Sequence, residues 1–300
     1  MPAARIIVLT LLAMIAFAGN SLLCRAALKH TAIDAASFTT IRLISGAVTL
    51  WLAVRMKHGP ITGRGSWLSA CALFLYAAGF SFAYVHLPAA SGALLLFGAV
   101  QATMIGHGMW SGERLVKLQF VGLLLAGGGL VGLLLPGLSA PPLFGSLLML
   151  GAGVAWGVYS LRGKGAGDPT RVTAGNFLRA TPIAAALSVL MLDGASLDKG
   201  GVGYAVASGA LASGGGYAVW YSVLPALKAT NAATVQLSVP VIAALGGIAF
   251  LGEPVTLRLI LASVAILGGI ALVIFEKRSA IGTPPIASAS RRGKRDTRNI

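Results

Sequence analysis

Ten long apolar runs occupy most of the chain, and short stretches rich in glycine, proline, serine or charge separate them. Each run has about the 20 residues that an α-helix needs to cross the hydrocarbon core of a bilayer. None alternates between apolar and polar residues with a period of two, which argues against membrane strands. The pattern therefore predicts an all-α integral membrane protein with ten transmembrane helices, called spans one to ten below. Their approximate bounds are 6–28, 36–54, 66–87, 89–110, 118–135, 142–162, 172–192, 202–223, 231–252 and 258–275.

The composition supports this class and excludes several others. Hydrophobic residues make up 56% of the 300 residues and charged residues only 10%, whereas a soluble domain is typically about one-quarter charged. The chain is therefore not a soluble enzyme, a disordered protein or a secreted disulfide scaffold. Its two cysteines, Cys24 and Cys71, provide no disulfide framework and no metal-binding spacing.

The 23 lysines and arginines are distributed so unevenly that they predict the orientation in the membrane. With the N-terminus in the cytoplasm, 17 lie on the cytoplasmic side, only Lys29, Lys199 and Arg258 lie on the outer side, and Arg25, Arg42 and Arg179 lie within the spans. Cytoplasmic segments of membrane proteins carry such an excess. We therefore expect both termini in the cytoplasm and no nucleic-acid partner. Residues 277–300 hold seven of the charges and are predicted to be a disordered basic tail near anionic lipid headgroups.

An internal repeat predicts how the ten helices are organised. The chain matches itself at shifts of 140 and 137 residues, and the matches include charged and aromatic positions in the same order. A first repeat of five helices at 1–135 and a second at 136–276 follow. Because five is odd, the second repeat enters the membrane inverted, as in secondary transporters that bind substrate between the repeats near the midplane. The matched pairs include Glu113 with Glu253, Arg25 with Arg162, Arg42 with Arg179, and Leu87-Pro88 with Leu224-Pro225.

Several of these segments carry a family resemblance that covers about residues 6–275. The chain resembles the drug/metabolite transporter superfamily in its EamA branch, whose ten-helix carriers consist of two five-helix repeats. Within that branch it is most similar to bacterial exporters of aromatic and other neutral amino acids. The resemblance implies a multi-pass protein of the bacterial inner membrane that acts as a monomer on a small-molecule substrate. The matching segments are Ala18-Gly19-Asn20-Ser21, Ile41-Arg42-Leu43, Gly112-Glu113-Arg114-Leu115, Ala155-Trp156-Gly157-Val158-Tyr159, Tyr217-Ala218-Val219-Trp220-Tyr221 and Val239-Pro240-Val241 with Gly252-Glu253-Pro254.

Polar and aromatic residues near the middle of the spans are the candidates for a substrate cavity, because polar groups at that depth are costly unless they are used or paired. For the tryptophans and tyrosines the alternatives are interface anchoring and core packing. For the amide side chains the alternative is a hydrogen bond between helices. The predicted cavity residues are Asn20, Tyr76, Ser81, Gln101, Trp156, Tyr159, Ser213, Tyr217, Gln236 and Ser238.

No aspartate or glutamate lies in the middle of a predicted span. A cationic drug would therefore lack a counter-charge, and a neutral or zwitterionic substrate such as an aromatic or hydrophobic amino acid is favoured. A broad drug or cation exporter is the alternative within transport, and a membrane-embedded enzyme or structural component is the alternative outside it. The sequence contains no phosphate-binding loop, no zinc spacing and no nucleophile paired with a base. We therefore expect no enzyme activity, no cofactor and no metal.

Two further features are candidates for moving parts. Gly215 lies in a triple glycine near the centre of span eight and is predicted to be a hinge, with close helix packing as the alternative. Pro240 lies at the centre of span nine, where it removes a backbone hydrogen bond and predicts a functional kink.

Arginines within the spans suggest a pair of gates. Inverted symmetry makes Arg42 with Glu253 on the outer side equivalent to Arg179 with Glu113 on the inner side. The two ion pairs are predicted to alternate as the carrier switches. The alternative is that each arginine extends to lipid headgroups or to helix-end carbonyls.

Overall fold

The computed structural model describes residues 2–56, 64–112, 114–137, 139–163, 166–227 and 229–282. Within these ranges all regular structure is helical, which confirms the predicted all-α class. The helices are α1 (Ala3–His30), α2 (Ala35–Met56), α3 (Trp67–His86), α4 (Ala89–Trp110), α5 (Lys117–Leu134), α6 (Leu143–Gly163), α7 (Pro169–Leu190), α8 (Lys199–Ala207), α9 (Gly216–Val223), α10 (Ala229–Gln236), α11 (Ser238–Leu251) and α12 (Leu257–Gly282), with 3-10 turns at Leu192–Gly194 and Leu224–Ala226.

These twelve segments form the ten predicted spans. A π-helix at Ser208–Gly215 joins α8 to α9 and makes span eight, and α10 with α11 makes span nine. Within the part of the chain that the structure describes, eight helical stretches are long and apolar enough to cross a membrane. Helix α7, which forms span seven, carries Arg171 and Arg179 and is less apolar. Span eight consists of two short α-helices on either side of the π segment.

Contacts between the helices are reciprocal under exchange of the two predicted repeats. Three pairs bring a helix against its own counterpart, namely α2 with α7, α4 with α11 and α5 with α12. In the same way, α6 packs on α3 and α4, and its predicted counterpart α1 packs on their counterparts, the eighth and ninth spans. The buried core therefore lies between the two halves, with α1, α3, α4 and α6 at its centre.

Small residues permit the closest of these contacts. A Cβ atom on Gly122 of α5 would lie 2.5 Å from the Gly269 carbonyl oxygen of α12, so a larger residue would separate the two backbones. Gly129 lies against Ala265 of α12 in the same interface. The glycines of α5 and α12 that make contacts thus serve packing.

The eighth span is irregular where the sequence places its glycines. The π-helix Ser208–Gly215 ends at Gly215, and such segments are often found at functional sites. A Cβ atom on Gly214 would lie 2.8 Å from Cβ of Thr49, so this segment also packs closely on α2. The close packing that was the alternative for the triple glycine is therefore present, and a hinge motion at Gly215 stays a prediction.

The ninth span breaks beside Pro240. Helix α10 ends at Gln236 and α11 begins at Ser238. Pro240 has no N–H to donate to the carbonyl four residues earlier, which is that of Gln236. The intervening Leu237 instead donates its N–H to the Thr234 carbonyl at 3.1 Å. The interruption lies where the proline predicts a kink, and its functional role stays a prediction.

Candidate functional site

A central cavity of about 470 Å³ lies between helices of both predicted repeats. This volume falls within the roughly 300–1,000 Å³ typical of small-molecule sites. Most of the predicted cavity residues line it, and the segments they come from meet only in the folded bundle. Those that line it are Asn20, Tyr76, Gln101, Trp156, Tyr159, Tyr217 and Gln236.

The three predicted serines lie elsewhere, and for them the prediction is wrong. Ser81 donates its hydroxyl to the Ala77 carbonyl at 2.9 Å, and Ser238 donates to the Val235 carbonyl at 2.7 Å. A short hydroxyl is readily satisfied by its own helix in this way, so its depth in the membrane does not place it on the cavity. Ser213 is buried against Arg42 behind the cavity wall.

Stacked aromatic rings form one wall of the cavity, with Trp156 in the middle. Its ring lies 5.1 Å from that of Tyr159 at an interplanar angle of 27° and 5.4 Å from that of Tyr217 at 17°. The Tyr76 ring lies 4.8 Å from it on a third side. Trp156 and Tyr159 are three residues apart on α6 and so share a face. The wall offers flat apolar surface with hydroxyl groups at its edges.

A polar network at the α7 side of the cavity was not predicted from the sequence. Asn176 donates to the Tyr159 hydroxyl at 3.4 Å, Tyr159 donates to Thr173 at 3.3 Å, and Thr173 donates to Tyr221 at 3.3 Å. Asn176, Thr173 and Tyr221 all line the cavity. The sequence could have indicated Tyr221 as a cavity residue, because it follows Tyr217 by four residues and so lies on the same helix face.

Arg42 is buried beside the cavity, with 1% of its surface exposed. Its Nη2 donates to the Tyr76 hydroxyl at 2.9 Å and its Nε to Ser213 Oγ at 3.4 Å. The guanidinium carbon also lies 4.8 Å from the centroid of the Phe80 ring. Within the described residues no carboxylate forms an ion pair with it. The predicted pairing of Arg42 with Glu253 is therefore wrong, because Arg42 extends toward the aromatic cavity wall.

Glu253 instead pairs with Arg25, which closes the bundle at the predicted outer end. Arg25 Nε lies 3.1 Å from Glu253 Oε1, and the two side chains are 12% and 5% exposed. The second carboxylate oxygen accepts the Ala89 N–H at the start of α4 at 2.7 Å. Arg25 Nη1 donates to the carbonyls of Tyr84 and Val85 at the end of α3. One ion pair thus ties four spans together.

Arg179, on the predicted inner side, binds backbone carbonyls. Its Nη1 donates to the Arg64 carbonyl at 2.6 Å and to the Gly175 carbonyl at 2.9 Å. This is the alternative that the sequence left open for the arginines. The predicted partner Glu113 lies outside the described residues, so the second gate pair stays a prediction.

Two loops on the predicted outer side are joined by hydrogen bonds from backbone N–H groups to aspartates. Asp34 begins α2 by accepting the N–H groups of Ala36 and Ser37, and it also accepts that of Ser196 at 3.0 Å. Asp198 begins α8 and accepts the Ala32 N–H at 3.1 Å. Burial would raise the pKa of the Asp34 carboxyl, but hydrogen bonds from Ser37, Ser196 and Ala36 outweigh it and hold that pKa below its ordinary value.

The opposite end of the cavity extends to the predicted cytoplasmic face. Its lining includes Gly163, Gly167 and Pro169 at the connection between α6 and α7, and Leu224 at the end of α9. None of the described residues that line it is an aspartate, glutamate, lysine or arginine. Among the described residues, the lining of the site is therefore aromatic and uncharged.

Comparisons with known proteins match this architecture. Residues 143–275 match the model of the EamA-like transporter family. An uncharacterized protein of Pseudomonas aeruginosa is 57% identical over 294 residues, which cover 98% of this chain and all of that protein. A crystal structure of a protein aligns with a TM-score of 0.64 at 20% identity, covering 91% of this chain and 98% of that one. At that identity the likeness concerns the fold alone.

Proposed function

The chain belongs to the EamA-like transporter family, and on this premise we propose that it exports small neutral or zwitterionic metabolites, aromatic and hydrophobic amino acids above all. Family membership makes it a multi-pass membrane transporter with a small-molecule substrate and not an enzyme. The substrate class and the direction of transport are the proposed part.

The stacked aromatic wall carries this proposal. Trp156 lies between the rings of Tyr159 and Tyr217 in a cavity without charged lining residues among those described. An aromatic or large aliphatic side chain would bury its apolar surface there, and ring pairs add about 0.5–1.5 kcal/mol each beyond burial. The amide groups of Asn20 and Asn176 also line the cavity, and each has an N–H that a solute backbone could use, because both amide oxygens already accept hydrogen bonds from Ser208 and Ser66.

The same lining weighs against a broad cation exporter. A cation at membrane depth needs a carboxylate or an equivalent partner. Glu253 is not free to pair with a cation, because its carboxylate already binds Arg25 and the Ala89 N–H. A cation would find aromatic faces but no anion in the described lining.

Transport by alternating access, with the outer side closed in this conformation, fits these contacts. The Arg25–Glu253 pair and the loops held by Asp34 and Asp198 close one end, whereas the cavity extends to the α6–α7 connection at the other end. The excess of lysine and arginine on that side supports a cytoplasmic opening and cytoplasmic termini in the bacterial inner membrane. The reciprocal helix contacts support exchange of conformation between two inverted repeats.

Transport in proteoliposomes tests the proposal. Purified protein would be reconstituted and offered labelled aromatic amino acids, aliphatic amino acids and quaternary ammonium cations. We expect uptake of the first group above empty liposomes, and its loss in Trp156→Ala. The matched control is Trp67→Ala, which removes a tryptophan that is 60% exposed on the outside of the bundle. Uptake of the cations but of no amino acid would refute the proposal.

A further inference from the structure

We propose that the cavity selects solutes that carry a carboxylate, and that the Tyr76 hydroxyl, positioned by Arg42, donates a hydrogen bond to that group. The inference deepens the proposed function and rests on it in one respect, which is that the central cavity holds the transported solute.

The first observation is a buried cation without an anion. Arg42 is 1% exposed and lies at membrane depth, where a guanidinium is costly unless it is paired. Its Nη1 has no hydrogen-bond partner, whereas Nη2 and Nε bind the hydroxyls of Tyr76 and Ser213. The buried carboxylate of Glu253 pairs with Arg25 and is not a partner of Arg42. The site thus holds an uncompensated positive charge one side chain away from the cavity.

The second observation concerns the direction of the hydrogen bonds at Tyr76. A phenol oxygen has two lone pairs and one proton. Here the oxygen accepts from Arg42 Nη2 at 2.9 Å and from Asn20 Nδ2 at 3.3 Å. Asn20 is itself oriented, because its Oδ1 accepts the Ser208 hydroxyl at 2.7 Å. The proton of Tyr76 therefore remains available, and none of the described residues accepts it.

The third observation is the place of this donor. Tyr76 and Asn20 both line the cavity, and Arg42 does not. A hydroxyl that accepts from a guanidinium is polarised and donates more strongly, and hydrogen bonds to a carboxylate are roughly twice as strong as neutral ones. The Tyr76 ring also lies 4.8 Å from that of Trp156. A carboxylate at Tyr76 would therefore leave the apolar part of the same solute against the aromatic wall.

Binding of matched acids and amides tests this inference. The probes are 3-phenylpropionate against 3-phenylpropionamide, and phenylalanine against phenylalaninamide. Each pair differs in the carboxylate alone, and the first pair lacks an ammonium group. Binding to the purified full chain would be followed by quenching of tryptophan fluorescence, because Trp156 and Trp220 line the cavity. We expect each acid to bind about tenfold or more tightly than its amide.

Variants assign the preference to the proposed donor. Tyr76→Phe keeps the ring and removes the hydroxyl, so we expect it to abolish the preference for acids while amide binding stays the same. Tyr84→Phe is the matched control, because it removes a buried hydroxyl of the same helix that does not line the cavity. Arg42→Met removes the guanidinium that positions the Tyr76 hydroxyl, so we expect it to lower the affinity for acids. If Tyr76→Phe does not fold, the ratio of acid affinity to amide affinity in the wild type still tests the preference for a carboxylate.

The outcomes distinguish the carboxylate inference from the proposed amino-acid substrate. Equal affinity for acids and amides in the wild type, or an equal loss of both in Tyr76→Phe, would overturn the carboxylate inference and leave transport of neutral solutes intact. Transport of simple carboxylic acids but not of amino acids would support the inference and refute the amino-acid substrate. If neither the acids nor the amides bind and none is transported, both claims fail.

Discussion

The Nε atom of Arg25 on α1 lies 3.1 Å from Oε1 of Glu253 in the loop before α12. This ion pair bridges the two predicted repeats on the predicted outer side, and the same carboxylate binds the first residue of α4. The Glu253 carboxylate thus joins α1 and α4 at the predicted outer end, in addition to the loop contacts of Asp34 and Asp198.

Neutralising that carboxylate should open the outer side. Removing one partner of a buried pair costs about 3–5 kcal/mol, largely because the other charge remains unpaired. We expect Glu253→Gln to shift the protein toward an outward-open state. Gln101→Cys, in a background with Cys24→Ser and Cys71→Ser, would report the change, because an impermeant maleimide added from outside should label it faster.

The control for this experiment is Asp193→Asn, which removes an acidic group from the same side of the bundle without an ion pair in the structure. Its labelling rate should equal that of the parent protein. Equal outside labelling in Glu253→Gln and in the parent, with normal transport, would show that the ion pair is an anchor and not a gate.

Loss of the central tryptophan should weaken substrate binding more than its replacement by a smaller ring. Trp156→Ala removes the ring that stacks with Tyr159 and Tyr217 in the cavity wall. The solute would then lack one ring contact, so we expect its affinity to fall by about 1 kcal/mol, or about fivefold, for an aromatic amino acid. Trp156→Phe should lose less. Isothermal titration of the detergent-solubilised protein measures both. Equal affinities in all three proteins would exclude the aromatic wall from the binding site.

Transport should not require a proton gradient. Among the described lining residues no carboxylate is available to exchange a proton for substrate. We expect uptake into proteoliposomes without an imposed pH difference, and faster uptake when unlabelled substrate is loaded on the opposite side. A strict dependence on the pH difference would contradict this prediction and would direct attention to titratable groups outside the cavity, such as His107.

We expect the carboxylate of the loop residue Asp34 to stabilise the folded protein at neutral and weakly acidic pH, and to lose this effect in stronger acid. Its hydrogen bonds hold its folded-state pKa below the ordinary value of about 3.9. Its contribution is therefore complete above the unfolded-state pKa and is lost as the pH falls through the lower folded-state pKa. Asp34→Ala also removes the N-cap of α2, worth about 1 kcal/mol.

Thermal unfolding of the detergent-solubilised protein measures this effect. The melting temperature of Asp34→Ala should lie below that of the wild type by a constant amount between pH 8 and pH 5, and the difference should narrow on further acidification. Asp34→Asn, which can still cap the helix but does not titrate, is the matched variant. A difference that changed steadily between pH 8 and pH 5 would contradict the assignment.

The spans could be predicted because length and apolarity alone determine them. Span eight shows the limit of that argument, since a 3.6-residue period predicts one continuous helix and the chain forms a π segment instead. Its glycines marked the place, but the geometry depends on packing of Gly209 and Gly214 against α2. Contacts between distant segments of this kind are not encoded in local periodicity.

The cavity residues were predictable where the side chain was too large or too polar to be satisfied by its own helix. Trp156, Gln101 and Asn20 met that condition, and the serines did not. The partner of Glu253 was not predictable in the same way. Arg25 and Arg42 lie 17 positions apart on different helices, and depth alone does not indicate which one reaches the loop.

The π segment at Ser208–Gly215 has a consequence for insertions and deletions in this chain. Each residue of an α-helix turns the chain by about 100°, so one residue more or fewer in a regular span would rotate everything beyond it. In this span, the wider turns already accommodate additional chain between α8 and α9. Deleting one residue there would restore an ordinary helix and leave Tyr217 and Trp220 on the cavity face, whereas the same deletion in a regular span would turn the following residues by about 100°. This eight-residue stretch is therefore the part of the span where a change in length by one residue would disturb the cavity least.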